Sequence, residues 1–119
     1  MNVLVVDDSA DIRFMLRVLL EDAGMTVEEA ASGDEALARL ADPTGVDAVV
    51  LDQRMPVLTG LEVAQEVVAA GGAPPMILFS AYLHPVLRAE AEELGLITVV
   101  KTELGELVEV LQDLNGVTV

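Results

Sequence analysis

Cysteine is missing from this chain of 119 residues. Its absence excludes a disulfide scaffold and a thiolate-ligated zinc or iron–sulfur centre. Aromatic residues are scarce, at 3%, so the core must be built from Val, Leu, Ala and Ile. Basic residues are scarce too: Lys+Arg is 6 against Asp+Glu 21, a net charge of −15. Phosphate backbones repel such a surface, which argues against direct nucleic-acid binding. No apolar run approaches the ~18 residues of a membrane span. The N-terminus enters an apolar segment at once, without a basic region or a cleavage pattern. The expectation is a soluble, cytoplasmic protein with no membrane role.

Against these absences stands an apolar fraction of 53% and a mean hydropathy of +0.54, too high for a disordered acidic chain. The length suits one domain, which buries about two-thirds of the surface of its unfolded chain. The excess acid reads as a solvated surface.

Four short apolar runs stand out: Val3–Val6, Ala48–Leu51, Met76–Phe79 and Ile97–Val100. They are continuous rather than alternating, as expected of strands buried on both faces of a parallel sheet. A fifth run, Thr26–Ala31, carries Glu28 and Glu29 and reads as an edge strand, its polar residues discouraging further pairing. Helical patterns lie between the runs. Ile12, Leu16, Leu19 and Leu20 share one face of a helix ended by Gly24. Further helices are expected over Gly33–Asp42 (stopped by Pro43), Leu61–Ala70 (closed by Gly71-Gly72) and His84–Leu94 (with Pro85 suited to its first turn). Leu104, Leu107, Val108, Leu111 and Leu114 stripe a fifth. Strand–helix alternation repeated five times predicts an α/β fold: a single doubly wound parallel sheet with helices on both faces.

Ligands of such sheets bind outside the carboxyl ends of the strands. The first strand runs into Asp7-Asp8, the third into Asp52, the fourth into Ser80 and the fifth into Lys101. Singly, each acid or hydroxyl has a plain explanation: Asp8 or Ser9 caps a helix, Asp52 starts a turn, Ser80 satisfies a loop amide. Lys101 is the only lysine, and it follows a buried strand directly. Jointly the pattern says more. Three carboxylates on neighbouring strand ends repel, at about 4 kcal/mol per pair ~4 Å apart for an effective dielectric near 20. One ammonium is too few to compensate them, and a divalent metal is the natural remainder. An all-oxygen set with waters suits Mg²⁺, which often bridges to phosphate oxygens. The rim then reads as a place where one carboxylate attacks a phosphoryl group while Mg²⁺ and Lys101 neutralise its oxygens and Ser80 donates a hydrogen bond.

These residues resemble a response-regulator receiver domain of two-component signalling: the acidic pair Asp7-Asp8, Asp52 in Leu51-Asp52-Gln53-Arg54-Met55-Pro56, Gly60, Ser80-Ala81 and Lys101, in order and spacing over essentially the whole chain. The resemblance implies a flavodoxin-like, five-stranded sheet in order 2-1-3-4-5. It implies Asp52 as phosphoacceptor and Mg²⁺ held by Asp7, Asp8, Asp52 and the backbone carbonyl of Arg54. Ser80 would turn toward the phosphoryl group and Lys101 would pair with it. It further implies a sensor histidine kinase or histidine phosphotransfer protein as donor and a downstream protein as target. Residues 1–119 would be the receiver domain alone, without an output domain. Three positions depart from the family pattern: Thr98 where Tyr or Phe is usual, Thr102 where Pro follows the lysine, and Gln53 where an apolar residue is common.

Two other functions compete. A Mg²⁺-dependent aspartyl-phosphate phosphatase or phosphotransferase would need a cap over its substrate and a second acid, and there is no spare length for a lid. A degenerate, interaction-only domain would not need the intact set of Asp7, Asp8, Asp52, Ser80 and Lys101. His84, the only histidine, reads as a surface residue at a helix start.

Overall fold

The structure, a computed structural model, describes residues 1–116; the last three residues assigned to the domain, 117–119, lie outside the described residues. Five strands alternate with five helices: β1 (Asn2–Val6), α1 (Ala10–Asp22), β2 (Thr26–Ala30), α2 (Gly33–Leu40), β3 (Ala48–Leu51), α3 (Gly60–Ala70), β4 (Met76–Ser80), α4 (Pro85–Glu93), β5 (Ile97–Val100) and α5 (Leu104–Leu114). All neighbouring strands pair in parallel, in the order β2-β1-β3-β4-β5. The strand with the glutamates is an edge, as its composition predicts.

Side chains alternate along each strand, so the continuous apolar runs feed two cores at once. Leu4, Val6, Val49, Leu51, Met76 and Leu78 face one layer, closed by α2, α3 and α4. Val3, Val5, Ala48, Val50, Ile77, Phe79 and Val99 face the other, closed by Leu16 and Leu20 of α1 and by Leu107 and Leu111 of α5. The central strands are therefore rigid.

Element boundaries differ from the sequence reading by a residue or two, each for a local reason. β2 ends at Ala30, and the next N–H, that of Ala31, donates to the Glu35 carboxylate at the start of α2. α2 stops at Leu40, short of Asp42, whose carboxylate accepts from both the amide and the hydroxyl of Thr44 and so folds a turn around Pro43. α4 starts at Pro85, and His84 is its cap: Nδ1 accepts the Leu87 N–H at 3.3 Å. Gly24 follows α1 at φ +88°, the left-handed position that glycine adopts freely.

Glu28 and Glu29 do more than guard an edge. They point to opposite faces, and each ties β2 to a helix. Glu28 accepts from Arg39 of α2 at 2.8 Å. Glu29 accepts from Arg17 at 2.8 Å and Arg13 at 3.1 Å, both on α1. Three of the five arginines are spent here.

Two predictions follow from this packing. A Cβ on Gly60 would lie 2.3 Å from the Asp52 carbonyl oxygen, whereas one on Gly105, in α5, would meet nothing within 4 Å. Gly60→Ala should destabilise by about 3 kcal/mol, the upper range for overpacking, and Gly105→Ala should stabilise by about 0.5–1 kcal/mol through helix propensity. Urea unfolding midpoints of the two variants check both signs. The hydrogen bond from Arg17, followed by that from Arg13, holds the Glu29 carboxyl below the ordinary glutamate value of 4.5. Its contribution is therefore present in full above that value and lost as pH falls through the lowered folded one. Glu29→Gln should lose about 0.5–1 kcal/mol at neutral pH, and the gap to wild type should close as pH drops below 4.5. A pH-independent gap would mean the charge contributes nothing.

Candidate functional site at the carboxyl rim of the sheet

The backbone ladder continues one residue past three of the strands and pins the rim in place. Asp7 donates its N–H to the Ala30 carbonyl at 3.1 Å, Asp52 to the Val6 carbonyl at 2.9 Å, and Lys101 to the Ser80 carbonyl at 2.8 Å. Each side chain thus leaves a backbone as rigid as the sheet. Asp7, Asp52 and Ser80 are the buried polar residues among the described residues, 2%, 5% and 5% exposed, while Asp8 is exposed.

The six residues that the sequence singles out converge. Asp7, Asp8, Asp52, Arg54, Ser80 and Lys101 all line one cleft of ≈ 790 Å³. The Lys101 ammonium lies 3.0 Å from Asp7 Oδ2 and 2.9 Å from Asp52 Oδ1, bridging two strand ends across the sheet. Asp7, Asp8 and Asp52 each offer a carboxylate oxygen within 4.8 Å of the others.

Charge at this rim is under-compensated. Burial pushes the Asp52 carboxyl above its ordinary value; the Lys101 hydrogen bond works against the rise, and the Asp7 and Asp8 charges add to it. Burial also opposes the Lys101 charge, but its hydrogen bonds to Asp52 and Asp7 outweigh that and raise it above the lysine value. One ammonium between three carboxylates holds its proton firmly and still leaves the cluster strained. The donors are all oxygens, close together and short of positive charge, which is the chemistry that accommodates a hard divalent cation.

Some plain explanations also hold. Ser9, not Asp8, caps α1, its Oγ accepting the Ile12 N–H at 3.3 Å. Asp7 Oδ1 accepts the Ser9 N–H at 2.9 Å, and Arg13 donates to the Asp7 carbonyl at 2.7 Å. The first carboxylate of the pair is therefore oriented by the helix that follows it. Ser80 Oγ donates to the Tyr82 carbonyl at 3.1 Å.

The departures from the family pattern now have local geometry. Thr98 Oγ1 accepts from Arg88 Nη1 at 3.1 Å, so a polar link joins α4 to β5 where an aromatic ring is usual. Tyr82 is 71% exposed, its ring 5.9 Å from that of His84. The bond before Thr102 is trans, which spares the ~2.5–4 kcal/mol of a non-proline cis bond. Gln53 caps α3: its Oε1 accepts the Leu61 N–H at 2.8 Å. Sequence reasoning missed this role, though a polar residue at a position expected to be apolar was its signal. It also missed that Arg54 makes no side-chain hydrogen bond or ion pair among the described residues, leaving a bare guanidinium at the cleft.

Comparison with known proteins agrees with this geometry. The family model described as the response regulator receiver domain matches residues 3–112. The transcriptional regulatory protein ResD of Bacillus subtilis (strain 168) is 37% identical over 94 residues, which are 79% of this chain and 38% of ResD. The chain spans only 20–38% of the length of such curated relatives. The chemotaxis protein CheY4 of Vibrio cholerae superposes with a TM-score of 0.83 at 35% identity, covering 95% of this chain and 97% of that one. The response regulator TrrA of Thermotoga maritima, solved in complex with Mg(2+)-BeF, gives 0.83 at 33% identity over the same shares. TrrA in complex with the histidine kinase ThkA gives 0.84 at 34%, again over 95% and 97%. A match across nearly the whole length, a shared strand order and one rim where the acids and the sole lysine meet lead to a single conclusion: this chain belongs to the response-regulator receiver domains of two-component signalling.

Proposed function

We propose that Asp52 is the phosphoacceptor of this receiver domain, taking a phosphoryl group from a phosphohistidine on a sensor histidine kinase or a histidine phosphotransfer protein. The observation that carries the reading is the Lys101 ammonium held 2.9 Å from Asp52 and 3.0 Å from Asp7 within a buried acid cluster. Asp7, Asp8, Asp52 and the backbone carbonyl of Arg54 are the residues that would hold Mg²⁺. When bound, the ion supplies the positive charge that the cluster lacks and neutralises phosphoryl oxygens.

The chain's own residues do the rest. A carboxylate oxygen of Asp52 attacks phosphorus in line, the phosphorus–nitrogen bond to the donor histidine breaks, and its electron pair stays on the imidazole. The Lys101 ammonium faces the Asp52 carboxylate and pairs with the transferred group without crossing the cleft. Ser80 must break its bond to the Tyr82 carbonyl before its hydroxyl reaches a phosphoryl oxygen, so the segment between β4 and α4 is released when it turns. That movement is read by a downstream protein on the α4–β5–α5 face. From His84 to Leu114 this face carries Arg88, the neutral imidazole of His84 and the rim residue Lys101 against many acids, which disfavours nucleic acid as the direct target.

Residues 1–119 act as one receiver domain in the cytoplasm, catalysing nothing beyond their own phosphorylation and dephosphorylation. No helix among the described residues is long and apolar enough to cross a membrane.

With acetyl phosphate and Mg²⁺, wild type should gain one phosphoryl mass that hydroxylamine removes, and Asp52→Asn should gain none while keeping its circular dichroism spectrum. Equal labelling of the variant would place the acceptor elsewhere. Mg²⁺ should raise the melting temperature of wild type by linkage, worth about 2.7 kcal/mol at a hundred times Kd. Asp8→Ala should lose that increment and match or exceed wild type without metal, since it removes a repelling charge. Differential scanning calorimetry with and without Mg²⁺ reads both effects.

A further inference from the structure

The start of α3 presents four backbone N–H groups that no preceding helical turn can accept. Two are satisfied within the helix start by a capping box: Thr59 N–H donates to Glu62 Oε1 at 3.0 Å, and Glu62 N–H to Thr59 Oγ1 at 3.2 Å. The other two both go to Gln53. Its carbonyl accepts the Gly60 N–H at 3.2 Å, and its side-chain Oε1 accepts the Leu61 N–H at 2.8 Å. Gly60 permits the approach, because a Cβ there would strike the Asp52 carbonyl oxygen. The backbone leaving Asp52 is thereby clamped against α3, while the residue after Gln53 is Arg54. An apolar side chain in place of Gln53 would leave the Leu61 N–H without that acceptor.

We propose that Gln53 is a positioning residue: its side chain fixes the Asp52–Arg54 backbone against the start of α3 and so sets how the cleft receives a divalent cation. This rests on the phosphoacceptor reading above and deepens it. Outer hydrogen bonds that orient metal ligands commonly change affinity by about 10–100-fold when removed. Here the oriented groups are the Asp52 carboxylate and the Arg54 carbonyl, on the two residues flanking Gln53. The clamp acts through main chain and takes no part in the transfer itself.

The test uses Gln53→Met, which keeps volume and removes the acceptor, and Gln53→Asn, which keeps the amide but shortens its reach. Gln53→Glu retains an acceptor oxygen at the original reach. Mg²⁺ affinity of the unphosphorylated chain is measured by titration calorimetry, and hydrogen exchange of the Leu61 amide by NMR. In Gln53→Met and Gln53→Asn, Leu61 should lose protection and Mg²⁺ should bind about 10-fold more weakly. In Gln53→Glu both should return toward wild type. Should Gln53→Met fail to fold, Gln53→Asn carries the comparison. Lost Leu61 protection with unchanged Mg²⁺ affinity would overturn the proposal and reduce Gln53 to a helix cap. A wild type that binds no Mg²⁺ would instead overturn the phosphoacceptor reading, and this inference with it.

Discussion

The ammonium of Lys101 between Asp7 and Asp52 is the interaction around which the molecule is organised. Its partners lie 94 and 49 positions away in sequence, and only the parallel sheet brings them within 3.0 Å. The sheet also does work against electrostatics. Carboxylates ~4 Å apart repel by about 4 kcal/mol each at an effective dielectric near 20, so a loose scaffold would let them drift apart. Two apolar layers prevent this by burying both faces of the central strands, and the ladder bonds at Asp7, Asp52 and Lys101 carry that rigidity one residue further, into the chemistry.

Positive charge is rationed elsewhere for structural ends. Arg13, Arg17 and Arg39 fasten the edge strand to its two flanking helices, and Arg88 links α4 to Thr98. Arg54 is left at the cleft. With so few cations and −15 net charge, self-repulsion across the remaining acidic surface works against the compact state, and the two apolar layers have to outweigh it.

The residues between the rim and α4 differ from the family pattern, in which an aromatic residue is usual at position 98. Thr98 holds Arg88 instead of leaving space for a ring, Tyr82 points outward at 71% exposure, and Ser80 is tied to the Tyr82 carbonyl. The contacts that join this end of the sheet to α4 are thus polar, from Arg88 to Thr98 and from Ser80 to the Tyr82 carbonyl.

By itself, the sequence determined the element order, the edge strand and the acids, hydroxyl and lysine of the rim, while the full sheet order followed only from the resemblance to the family. Continuous apolar runs mark strands buried on both faces, glutamates mark the edge, and the acids, hydroxyl and lysine stand at strand ends, Ser80 as the last residue of β4 and the others just beyond theirs, where register makes distance predictable. What only the tertiary structure decided are contacts between side chains whose spacing follows no period. The attachment of Glu28 to α2 and Glu29 to α1, the choice of Ser9 rather than Asp8 as cap, the bond from Arg88 to Thr98 and the clamp from Gln53 to Leu61 all depend on where a loop or helix end comes to rest. Backbone periodicity reaches along an element but not across the gap to the next. That is why Asp52 could be read from its strand, while Gln53, one residue further on, could not.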